Sequence, residues 1–319
     1  MINQTPLFLQ PALHEKIWGG TRLRDLFGYA IPSEKTGECW GISAHPNGPA
    51  IIKNGPFAGQ TLAQVWQSNR ELFDNYKGED FPLLTKILDA REDLSVQVHP
   101  DDVYAQQHEH VPFGKTECWY IIDCDPGSEI VYGHTAATRA DFRQAVADKQ
   151  WDHLLRRVKV KPGDFFYVPS GTIHAICGGC LILETQQSSD TTYRVYDYDR
   201  PGTDGKPREL HIEQSIDVAN CPHIDPKLTY HVRQEAEAKY TELLREDLFT
   251  VSHWEIRGAS SMIKKNWPFL MISVLDGSGS LRIGAEDYSI KKGDHLVVPA
   301  TVEQFSLAGE LDLIVSNPV

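Results

Sequence analysis

An all-β fold of two jelly-roll barrels with a few helices is what this sequence predicts, and three observations point there. Short runs rich in Tyr, Val, Ile and Trp recur between Gly, Pro, Asp or Asn residues, at Cys118–Cys124, Phe165–Val168, Leu181–Thr185 and Leu296–Pro299. Helical periodicity is confined to Thr61–Asp74, Thr138–Asp148 and Ile212–Asn220. Finally, a segment repeats. At a constant offset of 130 residues, Lys161, Gly163, Asp164, Val168 and Pro169 recur as Lys291, Gly293, Asp294, Val298 and Pro299. Both copies read as strand, Gly-Asp turn, apolar strand, Pro, loop and strand. Phe269–Leu275 reads as a further strand of the second copy, with a turn at Asp276-Gly277-Ser278-Gly279.

The chain of 319 residues is long enough for about two domains. The polar stretch Lys227–Tyr240 marks the expected boundary, giving a first region over 1–235, with an N-terminal extension, and a second over 236–319. A net charge of −13 argues against nucleic acid and against an anionic membrane surface. No run of about 18 apolar residues suggests a membrane span. An anionic small substrate would need a local basic pocket. The opening residues lack the pattern of a signal peptide. The six cysteines, irregularly spaced, read as reduced thiols, so a cytoplasmic protein is expected. The lone Cys177-Gly-Gly-Cys180 has no second pair to complete a zinc site. Oligomeric state carries no signal.

Four residues form a candidate metal set: Gln97, His99, Glu117 and His174. Gln97 and His99 sit at i and i+2 of the apparent strand Leu94–Pro100 and can face one side together. Glu117 opens the next apolar strand, and His174 follows the Gly-Asp corner. Two imidazoles, a carboxylate and an amide oxygen suit zinc or a similar divalent ion, with room for water or substrate. The second histidine group, His108-Glu109-His110, lies in a very polar stretch and reads as a solvated loop. In the second copy Gln304 takes the place of His174, and the place of Glu117 falls near Leu270, so that copy lacks the ligands. The arrangement G-D-x-x-x-V-P-x-x-x-x-H over Gly163–His174 resembles the second half of the cupin motif.

Further elements resemble the short form of the class I mannose-6-phosphate isomerases. They are Lys16-Ile17-Trp18-Gly19-Gly20, Glu38-Cys39-Trp40 with His45-Pro46, and Pro82–Leu88. To these are added Ser95-Val96-Gln97-Val98-His99-Pro100, Lys115-Thr116-Glu117-Cys118-Trp119, Pro169–Ala175 and Tyr193-Arg194-Val195. The resemblance implies one zinc ion per chain held by Gln97, His99, Glu117 and His174, and a sugar phosphate substrate. It also implies a catalytic Arg194 and substrate-contacting roles for Ser95, Lys86, Lys115 and Glu184. The long members of that class carry an extra helical domain between the ligand Glu and the ligand His. Here 56 residues separate Glu117 from His174, which points to the short form.

The chemistry fits those residue types. Moving a proton between C1 and C2 through an enediol needs negative charge stabilised on the neighbouring oxygen, which a divalent ion and a fixed guanidinium can supply. Glu184, Lys115 or a metal hydroxide could serve as base. Two rival readings share the metal set. A cupin dioxygenase would hold iron there. A non-catalytic sugar-binding cupin would have no need of Arg194, Lys86 and Lys115 around one phosphate.

Overall fold

The computed structural model describes residues 4–202 and 205–319. Its strands form three antiparallel sheets of ten, six and five strands. The six-stranded sheet runs Phe165–Val168, Glu117–Cys124, Cys180–Gln187, Leu83–Ala90, Ala12–Gly20 and Thr36–Ile42. The five-stranded sheet runs Tyr193–Tyr196, Val96–Val98, His174–Ile176, Glu129–His134 and Leu155–Lys159. These two sheets pack face to face through Leu88, Trp119, Ile121 and Ile182 from one and Ile130, Tyr132 and Ile176 from the other. Together they make the first barrel.

Alternation along each strand decides what covers the outside. The outward residues Val96, Val98, Val131, Ala175 and Val195 pack against Phe142, Val146, Leu154 and Ile216 of three short helices, Arg139–Ala147, Trp151–Leu154 and Ile212–Val218. On the other side, Cys39, Leu83, Ile87, Cys118 and Leu183 pack against the helix Leu62–Ser68 and the second barrel. Phe269 is central there, with ring centroids 5.2 Å from Phe81, 5.4 Å from Phe73 and 6.1 Å from Trp66. Two of the three expected helices start where a threonine caps them, while the third, Ile212–Val218, follows His211 without a side-chain cap. Thr61 accepts from the Gln64 N–H, Gln64 reaches back to the Thr61 N–H, and Thr138 with Asp141 does the same. Among the described residues no helix is long and apolar enough to cross a membrane.

The ten-stranded sheet builds the second barrel, whose apolar core includes Trp254, Ile256, Leu270, Ile272, Leu296, Phe305 and Leu313. The N-terminal region contributes to this sheet. Leu7–Gln10 pairs with His295–Val298 on one side and with Ile51–Ile52 on the other.

The repeat is visible as geometry. Gly163 and Gly293 both adopt φ of 88°. The Asp164 and Asp294 carboxylates accept from the Lys161 and Lys291 N–H at 3.0 and 2.9 Å. Val168 stands opposite Glu117, and Val298 stands opposite Leu270. His174 stands opposite Gln97, and Gln304 stands opposite Lys264.

Three expectations are corrected. Asp276–Gly279 is no turn, because the strand Leu270–Ile283 runs through it with an irregularity after Val274. A Cβ on Gly277 would lie 1.9 Å from the Glu310 carbonyl oxygen, so this glycine permits close strand approach instead of chain reversal. His108 and Glu109 are exposed, as expected, but belong to a π-helical turn, Ala105–Glu109, and not to a loop, with the Tyr193 hydroxyl donating to Glu109 at 2.6 Å. The strand expected over Leu94–Pro100 covers only Val96–Val98, which leaves His99 just past its end.

Candidate active site

Two rows of side chains face each other inside the first barrel. In the five-stranded sheet, Arg194 is opposite Gln97, Gln97 is opposite His174, and His174 is opposite Tyr132. Such cross-strand partners share one face. In the six-stranded sheet the corresponding row is Trp40, Lys86, Glu184 and Trp119. Glu117, two residues before Trp119, shares that face.

The rows bring His99, Glu117 and His174 together, with one donor atom from each lying within 4.8 Å of the others. All three are buried. His99 Nδ1 faces the Thr191 carbonyl at 2.9 Å, and His174 Nδ1 faces the Thr172 carbonyl at 2.8 Å. A carbonyl only accepts, so each Nδ1 carries the proton and each Nε2 keeps its lone pair. Those lone pairs lie 3.5 and 3.4 Å from the Glu117 carboxylate. His174 Nε2 and Glu117 Oε1 have no hydrogen-bond partner. The Lys115 ammonium lies 3.1 Å from His99 Nε2 and 2.8 Å from Glu117 Oε2, so this donor set already gathers positive charge. Burial holds the His99 pKa well below its ordinary value and lowers that of His174 to about 4. Neutral imidazoles beside a buried carboxylate fit a divalent cation.

Above this set opens a cleft of about 360 Å³. Its walls include Ser95, Gln97, Lys86, Lys115, Glu184 and Arg194, so every residue expected at the site either lines the cleft or belongs to the donor set beneath it. Glu184 Oε2 accepts from the Trp119 indole at 3.0 Å, while Oε1 has no hydrogen-bond partner and lies 3.6 Å from the Lys86 ammonium. Burial raises the Glu184 pKa, with Glu117 adding to the effect. Burial lowers the Lys86 pKa. Burial also disfavours the Lys115 ammonium, but Glu117 and Glu184 outweigh it and the pKa lies above the ordinary lysine value. Arg194 donates to the Glu209 carbonyl at 2.8 Å, and its Nε has no partner. Asp197, one carboxylate that could have neutralised it, is taken by Arg200 and Arg208.

Sequence reasoning gave no role to several other residues of the cleft. Glu38 holds the Trp40 indole at 2.7 Å, and the Trp40 ring lies 4.7 Å from the Lys86 ammonium. Burial works against the Glu38 charge, but Lys86 and Lys16 outweigh it and bring the pKa to about 2. Their signal was the i, i+2 spacing of Glu38 and Trp40 on one strand. Arg208 and Asp190 come from segments with no readable pattern.

The barrel and its two-histidine, one-carboxylate set define a cupin-type protein equipped to hold a metal. Residues 7–122 match the family model of the phosphomannose isomerase type I catalytic domain, and residues 239–318 match that of the mannose-6-phosphate isomerase cupin domain. The chain is 53% identical to mannose-6-phosphate isomerase ManA of Bacillus subtilis over 98% of both chains. It is also 53% identical to the mannose-6-phosphate isomerase of Streptococcus mutans, again over 98% of both. A crystal structure of the mannose 6-phosphate isomerase from Bacillus subtilis superposes with a TM-score of 0.96 at 50% identity, covering 98% of this chain and 100% of that one. The chain belongs to the mannose-6-phosphate isomerase family, whose members are aldose–ketose isomerases. That membership sets aside the dioxygenase and the non-catalytic readings.

Proposed function

We propose that this protein interconverts mannose 6-phosphate and fructose 6-phosphate through an enediol, with one zinc ion per chain held by His99, Glu117, His174 and the amide oxygen of Gln97. The observation that carries the reading is the convergence of two imidazole lone pairs and a buried carboxylate beneath a cleft walled by Lys86, Lys115 and Arg194. Those cations give a chain of net charge −13 the local basic pocket an anionic sugar requires. A zinc ion there supplies Lewis acidity toward the substrate carbonyl.

The chain's own groups divide the remaining work. Glu184 carries the carbon-bound proton, taking it from C2 and returning it to C1, while the hydroxyl proton passes from O2 to O1 across the enediol. Its Oε2 is anchored by Trp119, its Oε1 is open, and its pKa is raised toward the working range. Lys115 stays an ammonium and contributes charge instead of acting as base. Arg194 stabilises the oxygen that becomes negative as the enediolate forms. Lys86 orients Glu184, and Ser95 offers a hydroxyl to the sugar. The catalytic region lies within residues 1–235, whose strands Leu7–Gln10, Ile51–Ile52 and His231–Gln234 join the sheet of the supporting barrel of residues 236–319. The six unpaired cysteines support a cytoplasmic setting. The test is a coupled assay of fructose 6-phosphate formation alongside elemental analysis. Turnover with one zinc per chain is expected, and absence of turnover in zinc-loaded protein would reject the proposal.

A further inference from the structure

His99, Glu117 and His174 come from three separate stretches of chain, and one short loop, residues 170–172, touches two of them. The Gly171 N–H donates to the His99 carbonyl at 2.9 Å, and the Thr172 carbonyl accepts from His174 Nδ1 at 2.8 Å. The loop thus places the main chain of one histidine and the ring of the other. His174 Nε2 and Glu117 Oε1 lie 3.4 Å apart with no hydrogen bond between them. Their spacing is therefore set by the chain behind each of them.

The loop is fixed in turn by its neighbours. The Asn220 N–H donates to the Gly171 carbonyl at 2.8 Å, and Asn220 Nδ2 donates to the Ser170 carbonyl at 2.9 Å. The Ser170 N–H donates to the Thr116 hydroxyl oxygen at 3.2 Å. Thr116 is buried and stands between Lys115 and Glu117. Its own main chain is held on both polar groups by one residue. The Thr116 N–H donates to Gln187 Oε1 at 2.9 Å, and the Thr116 carbonyl accepts from the Gln187 N–H at 3.0 Å. Gln187 is buried as well, and its Nε2 donates to Asp102 Oδ1 at 2.8 Å.

We propose that Thr116 is a positioning residue for the metal. Its hydroxyl ties the segment carrying Glu117 to the loop that fixes His99 and His174, and so sets the spacing of the three donors. The inference rests on the metal reading given above. Without the hydroxyl, the Ser170 N–H loses its partner, and the loop must shift to recover one.

Thr116→Val and Thr116→Ser separate the two properties of this side chain, since valine keeps its shape and serine keeps its oxygen. Zinc retention against a competing chelator should weaken by about tenfold or more in Thr116→Val and stay within about twofold of the wild type in Thr116→Ser. Thr116→Ala, which crowds no neighbour, should lose zinc as Thr116→Val does. In the metal-free chain, amide hydrogen exchange at Ser170 and Gly171 should quicken in Thr116→Val and not in Thr116→Ser. Thr116→Val and Thr116→Ala proteins that hold zinc as tightly as the wild type would overturn the inference alone. So would a Thr116→Ser protein that loses zinc equally, because packing and not the hydroxyl would then be at work. A wild type that holds no zinc overturns the metal reading itself and this inference with it.

Discussion

The two barrels share a corner but fill their interiors in opposite ways. At matching positions the first carries Glu117 and the second Leu270; the first carries His174 and the second Gln304. A buried carboxylate is costly unless it is paired or bound to a cation, so Glu117 needs the Lys115 ammonium at 2.8 Å or a cation shared with the lone pairs of His99 and His174. Leu270 has no such need and packs against apolar neighbours. The comparison teaches that the corner sequence specifies the fold, while a few inward positions decide whether the barrel carries chemistry.

The largest test of that contrast empties the first barrel. His174→Ala should abolish tight metal binding and reduce turnover by about 10³-fold or more, since Lewis-acid stabilisation contributes several kcal/mol. Elemental analysis and kinetics on the same preparation check it. Arg194→Lys should come next, lowering kcat by about 10²–10³ with metal content unchanged, because a point ammonium cannot reproduce the planar fork. A change of only a few-fold would return Arg194 to the role of a structural side chain.

The contact between the barrels is sharpened by Phe269→Ala, which should destabilise the chain by about 3–5 kcal/mol in a denaturant titration. Acid probes the same contact. His295, in the second barrel, bonds Tyr29 at 3.0 Å and Ser273 at 2.8 Å, and burial lowers its pKa to about 3. Its folded pKa lies below the unfolded value, so its contribution is complete above pH about 6.5 and is lost as pH falls toward 3, by up to about 1.4 kcal/mol per unit. Melting curves between pH 7 and 4 should be shallower in pH for His295→Gln than for the wild type. The smallest effect belongs to Gln304→Ala, which should leave metal content and turnover nearly unchanged.

Much of the fold was legible because it rests on local rules. Threonine caps, strand alternation and the Gly-Asp corner each act over a few residues. The grouping of His99, Glu117 and His174 was legible because Glu117 opens an apolar strand and His174 follows the Gly-Asp corner. Glu38 and Trp40 were harder. Every residue of Thr36–Ile42 is buried, so that strand offers no polar–apolar contrast to mark its inward face. The glycines at 277 and 279 misled because close strand approach and chain reversal both select glycine.

The pairing of Leu7–Gln10 with His295–Val298 has a consequence for the order in which the molecule is assembled. During synthesis the first of these strands emerges almost a whole chain length before its partner. Until the far end arrives, Phe8 has no second-barrel core to pack against, and Leu7 and Leu9 lack Phe269 and Val297, their neighbours in the core between the barrels. Such long-range closure slows folding and leaves an early segment exposed to wrong partners. A nascent chain released before residue 295 would therefore lack not only its last strands but also the seat for its first.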